Sequence, residues 1–259
     1  MPELPEVEAY RRLAERALGR TIDEVAAPDA WYLKGGLSPE SVAVALVGRR
    51  FTRARRTGKL LLLDSDGPVL GLHFGMSGRL LVDGTAGVDH LAYASTRELD
   101  RWDRFAVRFE DAGDLRIRDP RRLGGVSLDP DETRLGPDAL DVRPAVLGRL
   151  LEGSRAPLKA RLMDQTRLAG VGNLIADEAL FRAGLDPARP AGSLSPNERR
   201  RLHRHLRTTI TDYIEGGGSH TGDLMPERQP GGRCPRDGTL LVRRTVGGRT
   251  TFSCPQHQH

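Results

Sequence analysis

The chain opens Met1-Pro2-Glu3-Leu4-Pro5-Glu6, a proline directly after the initiator methionine with two glutamates close behind. Removal of Met1, favoured before a small residue, would leave a chain that begins with the secondary amine of Pro2. With an α-amino pKa of about 8 and a lysine pKa of about 10.4, roughly 10% of the terminal amine but only about 0.04% of a lysine is unprotonated at pH 7. The terminal amine is therefore the better resting nucleophile. Attack on a sugar C1′ would expel a base and leave an iminium, and that electron sink would acidify the C2′ proton and permit strand cleavage by elimination. Such chemistry also needs acids. Glu3 and Glu6, three residues apart, share a helical face beside the amine and could protonate the ring oxygen and shuttle protons. The plainer reading is that two acids in a first helical turn complement the helix dipole.

These groups need a scaffold, and the texture of the chain suggests one. Val7, Tyr10, Leu13, Ala14, Ala17 and Leu18 recur at helical spacing, with Gly19 placed to stop the helix. From about 21 to 128, short apolar runs such as LLLLD (60–64), RLLVDG (79–84) and FAVRFED (105–111) are cut by Gly, Asp and Pro, which predicts a β-sandwich or barrel. Residues 129–144, DPDETRLGPDALDVRP, read as a linker. Beyond them the pattern is helical: segments 157–167 and 173–183 flank the turn GVGN, and Ser195, Pro196 and Glu198 supply a cap, a first helical residue and a capping-box acid for a helix that GGG (216–218) closes. The tail from 225 holds both cysteines and six arginines against two acids. The expected division is a catalytic domain over 1–128, a linker over 129–144, a helical domain over 145–224 and a small basic module over 225–259.

Forty basic against 35 acidic residues give a net charge of +5, which favours a polyanionic partner without proving one. Nearly all of that charge is arginine; the three lysines are Lys34, Lys59 and Lys159. No apolar run is long enough to span a bilayer, and the N-terminus carries acids where a leader would carry bases, so a cytoplasmic monomer without a membrane partner is expected.

The run PELPEVE resembles the start of the formamidopyrimidine-DNA glycosylase family, which includes the endonuclease VIII-like enzymes, and further blocks follow in that family's order. TGKLLLL around Lys59 is similar to its hairpin lysine, HFGMSGRL (73–80) to its loop with an intercalating methionine, and DPRRLGG (119–125) to its second damage-probing loop. LMDQTRLAGVGNLIADEALFRAGLDP (162–187) resembles its helix-two-turn-helix motif, and GRTTFSCP (248–255) its terminal β-hairpin. The resemblance implies an α+β multidomain chain: an N-terminal helix with a β-sandwich, a helix-two-turn-helix domain and a zinc-finger-like β-hairpin. It implies a bacterial DNA glycosylase with abasic-site lyase activity (β,δ-elimination through a Pro2 Schiff base), acting on damaged duplex DNA. Pro2, Glu3, Glu6 and Lys59 would carry the chemistry. Lys59, Met76, Arg121, Leu123, Asn173 and Arg249 would contact DNA, with Met76, Arg121 and Leu123 filling the gap left by an extruded base. Asn173 also reads as a helix N-cap, in a turn that aims backbone N–H groups outward at phosphate. Arg249 after two glycines suits a bidentate grip on phosphate.

Three departures from the family pattern stand out. Leu123 occupies a position where phenylalanine is expected; leucine can wedge but cannot stack as an aromatic does. The family finger is usually a four-cysteine site, whereas the same spacing here reads Cys234, Asp237, Cys254 and His257. Zinc accepts oxygen and nitrogen as well as sulfur, so one structural Zn²⁺ in a mixed site is expected, with His259 as an alternative donor and a metal-free finger as the other possibility. A disulfide is disfavoured in a reducing cytoplasm. Only thirteen residues, Thr221 to Arg233, separate GGGSH from Cys234, fewer than a long cover for an everted purine requires. PELPEVE and DPRRLG lean towards oxidised purines and formamidopyrimidines; the short loop leans towards the endonuclease VIII side, with oxidised pyrimidines or a wider range. From other classes, a damage-binding protein without chemistry or a binder of structured RNA are the competing readings, and the first leaves Pro2, Glu3, Glu6 and Lys59 without a purpose.

Overall fold

The computed structural model describes residues 2–89, 91, 97 and 99–259. Met1, whose removal the N-terminal chemistry requires, lies outside them. The chain divides into two compact units, 1–132 and 133–259.

In the first unit α1 (Leu4–Ala14) precedes β1 (Ile22–Ala26), α2 (Pro39–Leu46), β2 (Phe51–Thr57), β3 (Leu60–Ser65), β4 (Leu70–His73), β5 (Arg79–Val82), β6 (Thr85–Ala86), β7 (Asp103–Phe109), β8 (Asp114–Arg118) and β9 (Gly125–Leu128). Among the described residues these strands form an antiparallel sheet in the order β1-β7-β8-β5-β6 and a second in the order β2-β3-β4-β9. Alternating apolar residues from both sheets, among them Leu61, Leu63, Leu72, Phe105, Val107 and Ile117, share one core with Val7, Tyr10 and Ala14 of α1. The apolar face of α1 thus makes the N-terminus part of the sandwich. The helix stops at Ala14 and tightens into a 3-10 turn at Glu15–Ala17, earlier than its apolar pattern predicts, while Gly19 takes a left-handed φ of +77° before β1. Helix α2 interrupts a stretch that reads as β-rich; its signal was local, a Ser38–Ser41 capping box with Pro39 in the first turn.

The second unit contains α3 (Pro144–Leu151), α4 (Leu158–Met163), α5 (Asn173–Ala183) and α6 (Pro196–Glu215), then a hairpin of β10 (Val242–Val246) and β11 (Arg249–Ser253). Between the units' strands and helices, Ala139 and Val142 are buried in the second unit. Helix α5 ends at Gly184 in the left-handed conformation, as the sequence predicts. Helix α6 starts with the expected box: Ser195 accepts from the Glu198 N–H, and Glu198 accepts from the Ser195 N–H at 2.8 Å. A hydrogen bond from Arg189 holds the Glu198 carboxyl down to about 2, against its partial burial. Leu202, Leu206, Ile210 and Tyr213 bury the opposite face. Among the described residues, no helix is long and apolar enough to cross a membrane.

Because Ser195 satisfies an otherwise orphan donor at the start of this twenty-residue helix, Ser195→Ala is expected to cost about 1 kcal/mol, read as a lower urea midpoint of the intact protein. An unchanged midpoint would show that α6 is held by its buried stripe alone.

Candidate active site

Pro2 and Glu3 sit immediately before the first turn of α1, with Glu3 as its cap and Glu6 at the third helical position. The Glu3 N–H donates to Glu6 Oε2 at 2.8 Å. Both carboxyls are almost wholly buried, 1% and 2% exposed, although they belong to a chain terminus. Acids placed only to complement a helix dipole have no need of burial, whereas acids that exchange protons at a water-excluded centre do. Capping and proximity to the amine are here properties of the same two side chains.

Lys59 lies in the two-residue β2–β3 turn, where Gly58 adopts a φ of +59°. Arg56 anchors that turn by donating to the Gly58 carbonyl at 2.9 Å and pairing with Glu8 of α1 at 3.2 Å. Burial pushes the Glu8 carboxyl up, but Arg11 and Arg56 outweigh it and the net shift is downward. The N-terminal helix is thereby tied to the turn that carries Lys59. Across the sheet, Leu60 pairs with His73. The His73 ring reaches solvent yet is closely surrounded by protein; desolvation first, then the charges of Lys59 and Lys34, lower its pKa against the opposing pull of Asp119. Sequence reasoning missed His73, which opens the very block that contains Met76.

Met76 and Leu123 are exposed, and their loops touch: a Cβ on Gly75 would stand 2.3 Å from the Leu123 carbonyl carbon. Asp119, fully buried, organises this surface. Its carboxylate accepts from Ser77 Oγ at 2.5 Å, the Arg121 N–H at 3.1 Å, the Gly124 N–H at 2.9 Å and the Tyr32 hydroxyl at 3.3 Å. One side chain therefore positions both loops, the one with Met76 and the one with Arg121 and Leu123. Arg121 is exposed, whereas Arg122 adopts a left-handed φ of +57° and is clamped by Asp29 at 2.6 and 2.7 Å. The pair offsets a backbone conformation that costs a non-glycine residue about 1–2 kcal/mol.

In the second unit, Gly172 is the cap of α5 and Asn173 is its first helical residue, so the cap falls one residue earlier than predicted. Asn173 Nδ2 instead donates to the Thr250 carbonyl at 3.2 Å, while its buried Oδ1 lacks a partner. Thr250 follows Arg249, which stands exposed after the Gly247-Gly248 turn of the β10–β11 hairpin. Asn173 and the arginine fingertip are thus brought together. Lys159 secures the arrangement from below: fully buried, its Nζ donates to the Thr250 carbonyl at 3.1 Å and Thr251 Oγ1 at 2.7 Å, and pairs with Asp177 of α5 at 2.7 Å. Arg228 pairs with the same carboxylate.

Cys234, Asp237, Cys254 and His257 converge, with one donor atom from each within 4.8 Å of the others. Cys234 Sγ lies 3.4 Å from His257 Nδ1, Cys254 Sγ 3.3 Å from Asp237 Oδ2, and His257 Nδ1 3.7 Å from that oxygen. Tetrahedral zinc, with bonds of about 2.3 Å to sulfur and about 2.0–2.1 Å to nitrogen or oxygen, places its ligands roughly 3.3–3.8 Å apart. The donor set fits. His257 Nε2 faces the Phe181 carbonyl at 3.1 Å, which fixes the proton there and presents the Nδ1 lone pair to the cluster. The Asp237 carboxyl is held well below its usual range by hydrogen bonds from Thr239, while burial pushes the Cys234 thiol up to about 11. It is His257, not His259, that joins the group.

Residues 1–126 match the formamidopyrimidine-DNA glycosylase N-terminal domain and residues 135–223 the formamidopyrimidine-DNA glycosylase H2TH domain. The chain belongs to the formamidopyrimidine-DNA glycosylase family. Its relatives in that family include the formamidopyrimidine-DNA glycosylase of Thermus thermophilus, 39% identical with 100% of this chain and 98% of that protein covered, and that of Geobacillus kaustophilus, 34% identical with both chains fully covered. Among solved structures, the MutM (Fpg) protein of Thermus thermophilus superposes with a TM-score of 0.81 at 34% identity, covering 99% of this chain and 98% of the other. The Lactococcus lactis Fpg in complex with abasic-site DNA gives 0.84 at 26% identity over the full length of both.

Removing the Asp119 carboxylate would strand Ser77, Arg121, Gly124 and Tyr32 donors together. Asp119→Ala is expected to destabilise the protein by about 3 kcal/mol or more in urea unfolding, with Asp119→Asn losing less because it keeps an acceptor. Equal losses in the two variants would mean that the packing of this residue, and not its hydrogen bonds, holds the loops.

Proposed function

We propose that this member of the family removes oxidised bases from duplex DNA and then cuts the abasic strand, with the amine of Pro2 as nucleophile. That the family's enzymes are DNA glycosylases of base-excision repair makes this chain one too. The observation that carries the mechanism is the pair of buried carboxyls, Glu3 and Glu6, fixed beside the residue that becomes the N-terminus. The amine nitrogen attacks C1′ as the glycosidic bond breaks, and the base leaves with a proton. Glu3 protonates the ring oxygen to open the sugar, which leaves an iminium between Pro2 and C1′. Loss of a C2′ proton expels the 3′ phosphate, a second elimination expels the 5′ phosphate, and water releases the sugar fragment. Glu6, bonded to the Glu3 backbone, relays protons.

Lys59 supplies an electropositive contact for phosphate near the reacting sugar, and Asn173 with Arg249 supplies another from the second unit. Met76, Arg121 and Leu123 fill the gap left by the extruded nucleotide. The division of labour we infer gives catalysis to residues 1–128 and DNA grip to 145–224 and 225–259, joined by 129–144. The segment 221–233 is short and pinned: Asp223 and Leu224 N–H groups donate to Glu178, and Arg228 is committed to Asp177.

One structural Zn²⁺ held by Cys234, Asp237, Cys254 and His257 would fasten a hairpin too small to hold itself by burial. When bound, the ion supplies cross-linking and no step of the reaction. Folded protein is expected to contain about one equivalent of zinc, Cys234→Ser to lose it, and Asp237→Cys to keep or tighten it because thiolate restores the commoner arrangement. Metal analysis that finds no zinc in active, freshly purified protein would leave the finger held by packing.

The nucleophile has a direct test. Borohydride should reduce the iminium to a stable protein–DNA adduct on an abasic-site duplex, with peptide mapping placing the link at Pro2, and a tag retained on the N-terminus should abolish it. Equal trapping of the tagged protein through a lysine would remove Pro2 from the mechanism.

A further inference from the structure

Trp31 is 69% exposed, an unusual position for the largest apolar side chain, and its neighbours show that this exposure is imposed by the structure. It sits in the 3-10 turn Ala30–Tyr32. Directly after it, Tyr32 is fully buried and reaches Asp119 through its hydroxyl. Two residues further on, the Lys34 N–H donates to the Val126 carbonyl at 2.8 Å, so the chain that follows Trp31 is bolted to both ends of the loop 119–125. Two glycines make this close approach feasible. A Cβ on Gly124 would lie 2.1 Å from the Tyr32 hydroxyl oxygen, and one on Gly125 would lie 2.5 Å from Lys34 Cε. Asp29, at the start of the turn, clamps Arg122. A rigid turn with its flanks buried or tied holds a bare indole in solvent.

The indole lines a cavity of about 350 Å³ together with Leu123, Arg122, Lys34 and His73. Lys34 Nζ lies 5.3 Å from the indole centroid and is fixed by a 2.9 Å bond to the Trp31 carbonyl. The acids of this region are already committed, Asp29 to Arg122 and Arg104 and Asp119 to Ser77, Arg121, Gly124 and Tyr32. A flat apolar face with cations beside it is the chemistry that receives a nucleotide: the base stacks and the phosphate meets the charge.

We infer that Trp31 is a stacking platform for the DNA base opposite the lesion, the base left without a partner when the damaged nucleotide is extruded. This rests on the glycosylase reading of the same surface. Leu123 can occupy the gap but has no aromatic face, and a base deprived of its pair loses the hydrogen bonds that kept it in the helix, so it can tilt onto an aromatic face outside its own strand. Trp31 shares a cavity with Leu123, so the orphaned base finds its aromatic surface there. The damaged nucleotide, by contrast, has to travel to Pro2.

The protein has two tryptophans, Trp31 and Trp102, so Trp102→Phe leaves Trp31 as sole reporter. This parent is titrated with a duplex that carries a tetrahydrofuran abasic-site analogue opposite 2-aminopurine. Quenching of both the tryptophan and the 2-aminopurine emission is expected. Trp31→Ala, made in the wild-type chain, should abolish the 2-aminopurine quenching and weaken binding of the lesion duplex about tenfold, with binding of an undamaged duplex unchanged; Trp31→Phe should retain most of both effects. If Trp31→Ala binds the lesion duplex as tightly as wild type and quenches 2-aminopurine equally, the proposal is wrong. Equal weakening on damaged and undamaged duplexes would also overturn it, by making Trp31 a general DNA contact. Borohydride trapping of the Trp102→Phe parent on an abasic duplex separates the two readings: trapping with unchanged 2-aminopurine emission sinks the platform alone, and its loss sinks the glycosylase mechanism.

Discussion

A single buried carboxylate sets the working surface of the first unit. Asp119 has no solvent to share its charge with, so every lone pair must be met by a donor from the protein, and the donors come from three separate stretches of chain: Ser77, Arg121 with Gly124, and Tyr32. Each donor brings its loop to a fixed place. The residues held at the tips, Met76, Arg121, Leu123 and Trp31, remain exposed because the bonding is finished beneath them. Loops ordered before contact gain in any binding role, since ordering them on binding would cost affinity.

The second unit solves the same problem with a buried cation. Lys159 and Arg228 share Asp177, and Lys159 spends its remaining donors on Thr250 and Thr251 of the finger hairpin. Replacing such a triad by apolar residues can be harmless to stability, but removing one member leaves an uncompensated charge. Here the triad decides where Arg249 points relative to α5 and Asn173. The Cys/Asp/Cys/His group fastens the other end of the hairpin through His257 and the Phe181 carbonyl, so α5 is gripped at both its first residue and its last turn. Phe181, Leu224, Leu241 and Phe252 pack with the two cysteines between these anchors. A finger whose Cys/Asp/Cys/His group could hold a metal is thus also held by packing and hydrogen bonds.

Much of this protein was legible in order along the chain. The start of α6 at Ser195-Pro196-Asn197-Glu198, the left-handed stop at Gly184, the two-residue turns at Gly58-Lys59 and Gly247-Gly248, and the sandwich strands all follow from signals a few residues long, because capping, turn conformation and strand alternation are decided by neighbours in sequence. The pairing of Glu3 with Glu6 was equally local, because the two lie three residues apart in the first turn of α1. The same locality explains the small errors. Asn173 looks like a cap from its own segment, but the finger's Thr250 carbonyl, seventy-seven residues away, engages its amide, and Gly172 takes the cap. What no local pattern could announce is which charged residues would be buried. Asp119 and Lys159 look like ordinary members of a charged chain, and their partners stand 42 and 92 residues distant. A charge becomes an organising centre only when the fold removes its water and delivers the donors or acceptors that replace it, so tertiary structure alone decided which loops share a carboxylate, which hairpin rests on Lys159, and which tryptophan is left facing solvent.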